Sequence, residues 1–132
     1  SDVIKVLPEE YYDAICKKLP ELDYTMGLST CVGDKDFYLE LLNDFSELPI
    51  KEELNKFLKE EDANNYCIKV HGFKNNAYSV GAKEIGDLAY KLEKITKEGM
   101  TADVAELQKQ MFELYDSVCK RYSEVVVTEG TK

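Results

Sequence analysis

Tyr66-Cys-Ile-Lys-Val-His-Gly-Phe-Lys-Asn-Asn-Ala-Tyr-Ser-Val-Gly-Ala82 holds the only histidine in a chain of 132 residues. On a helical wheel at about 100° per residue, Tyr66, Val70, Phe73, Ala77 and Val80 fall in one apolar arc roughly 80° wide, which marks the buried face. His71 lies about 140° from the centre of that arc, on a stripe shared with Asn64, Cys67, Ile68, Lys74, Asn75 and Tyr78. Its imidazole is therefore expected to face water. A lone exposed histidine is most often a solvated polar residue, and a lysine three positions later changes little in a lysine-rich chain.

Outward from this helix the signals are helical throughout. Asp62 is a capping residue for a helix over about 63–80, and Gly81 is suited to stopping it in the left-handed conformation. Upstream, Asp34 caps a segment in which Tyr38, Leu41, Leu42, Phe45 and Leu48 recur at helical spacing. Ile50, Leu54, Phe57 and Leu58 resume the pattern after Pro49, where the lost backbone donor requires a kink or a restart. Downstream, Ile85, Leu88, Ala89, Leu92 and Ile95 form a stripe that follows Gly81 almost at once, so the two helices must be antiparallel. Gly99 ends it. Thr101 or Asp103 then caps a last helix with Val104, Leu107, Met111, Leu114, Tyr115, Val118, Tyr122 and Val125 on its inner face.

The expected fold is all-α: an antiparallel up-and-down four-helix bundle over 34–125 with an additional short N-terminal helix. Residues 1–7 read as a leader. Residues 8–33 read as that helix, begun by Pro8-Glu9-Glu10 and ended by Pro20, plus a connecting loop with one helical turn around Met26 to Cys31. After Ser123 the pattern fades, and 126–132 read as a disordered tail.

Composition narrows the function classes. A formal charge of −9 opposes binding to nucleic acid or anionic lipid, although Lys69, Lys74 and Lys83 lie near His71 while acids concentrate from Glu40 to Asp62. That contrast suits an acidic partner site. No apolar run approaches the roughly 18 residues of a membrane span, and the four cysteines show no paired spacing for zinc or redox work, so a cytoplasmic location, or a cytoplasmic part of a larger membrane-bound protein, is expected. No phosphate-cradling glycine loop, dinucleotide fingerprint or nucleophile elbow is present. A di-iron bundle site would need Glu-x-x-His, but position 68 is isoleucine.

The string as a whole carries more than its parts. His71, Phe73, Lys74, Ala77, Val80 and Gly81 match the pattern of the histidine-containing phosphotransfer (HPt) domain: His-x-hydrophobic-Lys-Gly, a small residue, then a hydrophobic-Gly pair. Asn75 stands where that family most often has glycine, thought to let a partner approach closely. Upstream, Gly27-Leu28, Gly33-Asp34 and Phe37-Tyr38-x-x-Leu41-Leu42-x-x-Phe45 resemble the family's lead-in and first bundle helix. The resemblance covers about residues 22–98.

The resemblance implies a monomeric phosphoryl carrier in a two-component phosphorelay, without catalytic machinery of its own. His71 would be the phosphoacceptor and Lys74 would neutralise phosphoryl oxygens. Ile68, Asn75 and Tyr78 would form the docking stripe, and Gly81 would terminate the helix. The partner would be a response-regulator receiver domain, which supplies the aspartate and Mg²⁺, or a histidine kinase; the chain itself would bind no cofactor and no metal. Two alternatives stand beside this reading. One is a helical adaptor that docks without carrying phosphate, and the other is the phosphoacceptor domain of a chemotaxis-type kinase. Cys67, four residues before His71 on the same face, also raises an activated thiol.

Overall fold

Three aspartates fix where helices begin. The side chains of Asp23, Asp34 and Asp62 accept hydrogen bonds from the backbone N–H of Met26 (3.0 Å), Phe37 (3.2 Å) and Asn65 (3.1 Å), each satisfying a first-turn donor that has no partner inside its helix. The computed structural model describes residues 8–130, and among them all regular structure is helical: α1 Pro8–Lys18, α2 Tyr24–Thr30, α3 Lys35–Ser46, α4 Ile50–Lys59, α5 Ala63–Ser79, α6 Lys83–Glu98 and α7 Asp103–Gly130. The chain is all-α. None of these helices is long and apolar enough to cross a membrane.

Side-chain pairings give the helix directions. Phe45 meets Phe73, and the Tyr38 hydroxyl donates to the Val80 carbonyl (2.7 Å), so α3 and α5 run antiparallel. Tyr66 pairs with Gln108 and Phe73 with Tyr115, which makes α5 and α7 parallel. Helix α6 returns antiparallel between them, with His71 against Glu93 and Tyr78 against Asp87. At the centre, the rings of Phe45, Phe73 and Tyr115 lie 5.2–5.5 Å apart, one pair stacked and two edge to face. Burying each such side chain stabilises by roughly 1.5–3 kcal/mol. This triad ties α3, α5 and α7 to one point beneath the histidine helix.

Polar groups inside the fold are matched. Pro49 separates α3 from α4, and the Tyr115 hydroxyl donates to the freed Phe45 carbonyl (2.5 Å) at the end of α3. Gln108 accepts from Tyr66 and donates to Asn55, joining α4, α5 and α7. Among the described residues no buried side-chain nitrogen or oxygen lacks a partner.

The α5–α6 turn is held from outside. Gly81 has φ +80°, and a Cβ there would stand 2.1 Å from the Asp23 carbonyl oxygen, so no side chain fits and the left-handed conformation favours glycine. Asp23 N–H donates to the Gly81 carbonyl (2.8 Å). The cap of α2 and the Tyr38 ring thus clamp the end of α5, and Gly81 terminates the helix as expected.

The segment boundaries need two corrections. Residues 126–130, expected to be disordered, continue α7, with Val125 and Glu129 buried. The reason is α1, which lies antiparallel alongside this end: Lys18 pairs with Glu124, and Arg121 donates to Glu21 and to the Lys18 carbonyl. The connecting loop expected within 8–33, with one helical turn around Met26 to Cys31, contains a helix of seven residues, α2, longer than one turn. The proposed leader, 1–7, and the tail residues 131–132 lie outside the described residues.

Candidate functional site

The inner arc of α5 is buried as its spacing predicts: Tyr66, Val70, Phe73 and Ala77 are each at most 2% exposed, and the following Val80 is 1% exposed. His71 sits on the other side with its side chain 53% exposed. It is not free, however. Its Nδ1 lies 2.5 Å from Oε2 of Glu93 on α6, and the other oxygen of the same carboxylate accepts from Lys74 Nζ at 2.7 Å. His71 and Lys74, one turn apart on α5, therefore share one carboxylate.

Glu93 is 5% exposed, and a buried carboxylate must be paired. Burial pushes its pKa up, but the hydrogen bonds from Lys74 and then His71 outweigh that, and the net shift is downward. The carboxylate is charged at neutral pH. Being an acceptor only, it selects the tautomer of the neutral imidazole: Nδ1 carries the proton, and the lone pair is on Nε2. Nε2 faces the Asn75 side-chain amide, whose Nδ2 is 3.4 Å away.

Lys74 differs from expectation. It was to be an exposed cation, but its side chain is only 15% exposed and its charge is already balanced by Glu93. Its Nζ also sits 5.2 Å from the centre of the Tyr90 ring, and Lys94 Nζ lies 5.0 Å from the same centre. Tyr90 is exposed and neighbours the histidine site through Lys74.

The expected docking stripe divides. Ile68 is 62% exposed, and with Gly72 it lines a shallow groove running toward Leu48 and Ile50. Asn75 is exposed beside it. Tyr78 is not part of this surface: its hydroxyl donates to Asp87 (2.7 Å), and its ring fills the space over Gly86, where a Cβ would come within 2.3 Å of it. The short turn at 80–82 brings α6 against that edge of α5. Cys67 lies on the same edge, half-buried, with Sγ 3.5 Å from the Glu93 carbonyl oxygen.

Sequence reasoning missed Glu93 and Tyr90. Glu93 had a signal, because it stands four and eight residues after Ala89 and Ile85, in line with an apolar stripe where a carboxylate has no business without partners. Tyr90 had none. Among the described residues no group of three or more His, Cys, Asp and Glu side chains could hold a metal ion. The chain matches no protein family, no curated protein and no solved structure.

Proposed function

We propose that the chain is a histidine phosphotransfer module: a four-helix bundle of α3/α4, α5, α6 and α7, with α1 and α2 packed on it, that carries a phosphoryl group on His71. The observation that carries this reading is the Glu93 carboxylate on His71 Nδ1, which in the neutral imidazole puts the lone pair on Nε2, on the exposed face of α5. Such a nitrogen needs no separate base.

In the transfer, the Nε2 lone pair attacks the phosphorus of an aspartyl phosphate on a receiver domain. The phosphorus–oxygen bond to the aspartate breaks, and its electron pair leaves on the carboxylate. The proton on Nδ1 stays in place, and the positive charge that develops on the ring is stabilised by Glu93 across 2.5 Å. The return transfer reverses these steps. Lys74, one turn along at about 4.5 Å of rise, stands beside the incoming phosphoryl group and offsets the negative charge that Glu93 would otherwise present to it. Any divalent cation the transfer needs would be supplied by the receiver.

The test uses receiver domains loaded with radiolabelled phosphate. Label should move to the wild-type chain, be lost in acid and survive in base, and be absent from His71→Gln, whose helical circular dichroism is unchanged because the side chain is largely exposed. Label on the His71→Gln chain would overturn the site. A receiver that binds both chains equally and transfers to neither would favour the adaptor reading, for which the exposed Ile68 groove speaks.

A further inference from the structure

The amide of Asn75 lies one helical turn after His71, where an i, i+4 pair on an α-helix must meet. Its Nδ2 stands 3.4 Å from Nε2, the ring nitrogen that Glu93 leaves unprotonated. Both ring nitrogens thus have a partner on the protein. Glu93 accepts from one, and Asn75 donates to the other.

We infer that Asn75 guards the nucleophilic nitrogen of His71, covering its lone pair at rest and turning to the phosphoryl oxygens once the group is attached. The inference deepens the proposed phosphotransfer and rests on it for its second half only. A lone pair engaged by an N–H cannot attack phosphorus, so the amide must rotate away before the nitrogen–phosphorus bond forms. Asn75 is exposed, and among the described residues no other hydrogen bond holds its side-chain amide. Rotation therefore sacrifices one weak hydrogen bond and nothing else. After transfer, Nε2 has no lone pair, and the same N–H finds three phosphoryl oxygens within reach of a small rotation. It then favours the attached state.

Removing the amide should act in two directions. Uptake becomes faster, by roughly twofold to tenfold, the span corresponding to one modest neutral hydrogen bond. The phosphohistidine becomes shorter-lived by a similar factor. A glycine at this position would thus give a quicker and leakier carrier, and asparagine a slower and more retentive one.

The experiment exploits the single histidine, so that a reagent for imidazole nitrogen reports on His71 alone. Wild type, Asn75→Ala and Asn75→Gly are treated with diethyl pyrocarbonate, which acylates unprotonated imidazole. Separate, unacylated samples are phosphorylated with phosphoramidate, in which the phosphorus–nitrogen bond breaks and ammonia leaves. Asn75→Ala keeps helix propensity where glycine lowers it, so a folding defect in the second does not obscure the first. Both variants should react about threefold faster with each reagent. Their ¹⁵N-labelled Nε2 resonance should move toward that of an unbonded imine nitrogen, and the phosphorylated forms should decay faster in buffer. Acylation of both variants at the wild-type rate with an unmoved Nε2 resonance would overturn the guard. Faster acylation, together with failure of every receiver to transfer, would leave the guard standing and sink the phosphotransfer reading instead.

Discussion

The outer face of α5 has two edges, and they differ in neighbour rather than in composition. Cys67, His71, Lys74 and Tyr78 recur along one edge, and each of them touches α6: three through the Glu93 residue, and Tyr78 through Asp87 and Gly86. Asn64, Ile68, Gly72 and Asn75 run along the other, and all are exposed. Both edges are polar enough to pass for solvent-facing on a helical wheel. A three-residue turn decides between them, because it sets α6 close beside α5 and leans it to one side. The histidine lies where both influences meet, its Nδ1 on the packed edge and its Nε2 toward the open one.

The comparison breaks most sharply at Glu93. Glu93→Ala leaves the largely buried Lys74 ammonium without its counter-charge and His71 without its orienting acceptor, and should destabilise the fold by about 2–3 kcal/mol in urea denaturation at pH 7. Phosphoryl uptake should fall with it. Glu93→Gln retains an acceptor and should lose less. The pH dependence separates charge from hydrogen bonding. The Glu93 pKa is lowered in the folded chain, so its contribution is fully present above the ordinary glutamate value of about 4.3 and is lost as pH falls through the lower folded-state value. Wild type should therefore exceed Glu93→Gln in stability at pH 7, and the gap should close on acidification below that range. A gap that persists at pH 2 would mean that the carboxylate charge is not what matters.

Next in size is Tyr78, where the packed edge can be opened from its far end. Tyr78→Glu removes a ring lying on Gly86 and places a second carboxylate beside Asp87, and should cost about 1.5–3 kcal/mol. A melt within experimental error of wild type would show that α6 does not hold this edge.

Much of this fold was legible from local chemistry. Asp34, Asp62, Pro49 and Gly81 act on the backbone of their own segment, and each does what its residue type dictates: two caps, a break and a left-handed stop. The inner arc of α5 was legible too, because five apolar residues on one side of a wheel admit one burial. What escaped depends on a second element. Tyr78 is half-buried by α6, not by anything in its own helix. Lys74 loses its exposure to a carboxylate nineteen residues away. The end of α7 stays ordered because α1 lies along it, and the charged Glu129 concealed a stripe that runs on from Tyr122 and Val125. Of the candidate site, His71 could be singled out from its pattern, but the carboxylate that holds its ring could be found only as an acid out of place.

The smallest effect on stability and the sharpest test of the open edge come from Ile68. It is the most exposed apolar residue of α5, one turn before His71, and its side chain lines a groove with Gly72 rather than filling a core. Exchanging it for glutamate removes little buried surface and leaves no unpaired group inside, so the melting behaviour should stay within about 0.5 kcal/mol of wild type. The new charge changes something else. Under the proposed phosphotransfer, it adds a carboxylate beside a nucleophile that would meet the acidic phosphorylation site of a receiver, and it wets a surface from which such a transient partner would have to exclude water. Ile68→Glu should therefore slow transfer from a loaded receiver about tenfold, with the loss shrinking as salt is raised, since part of it is screened repulsion. Its reaction with diethyl pyrocarbonate should match wild type, because nothing at Nδ1 or Nε2 has changed. If transfer from the receiver is equally unaffected, the partner does not approach over this edge, and the open face beside His71 is only solvated surface.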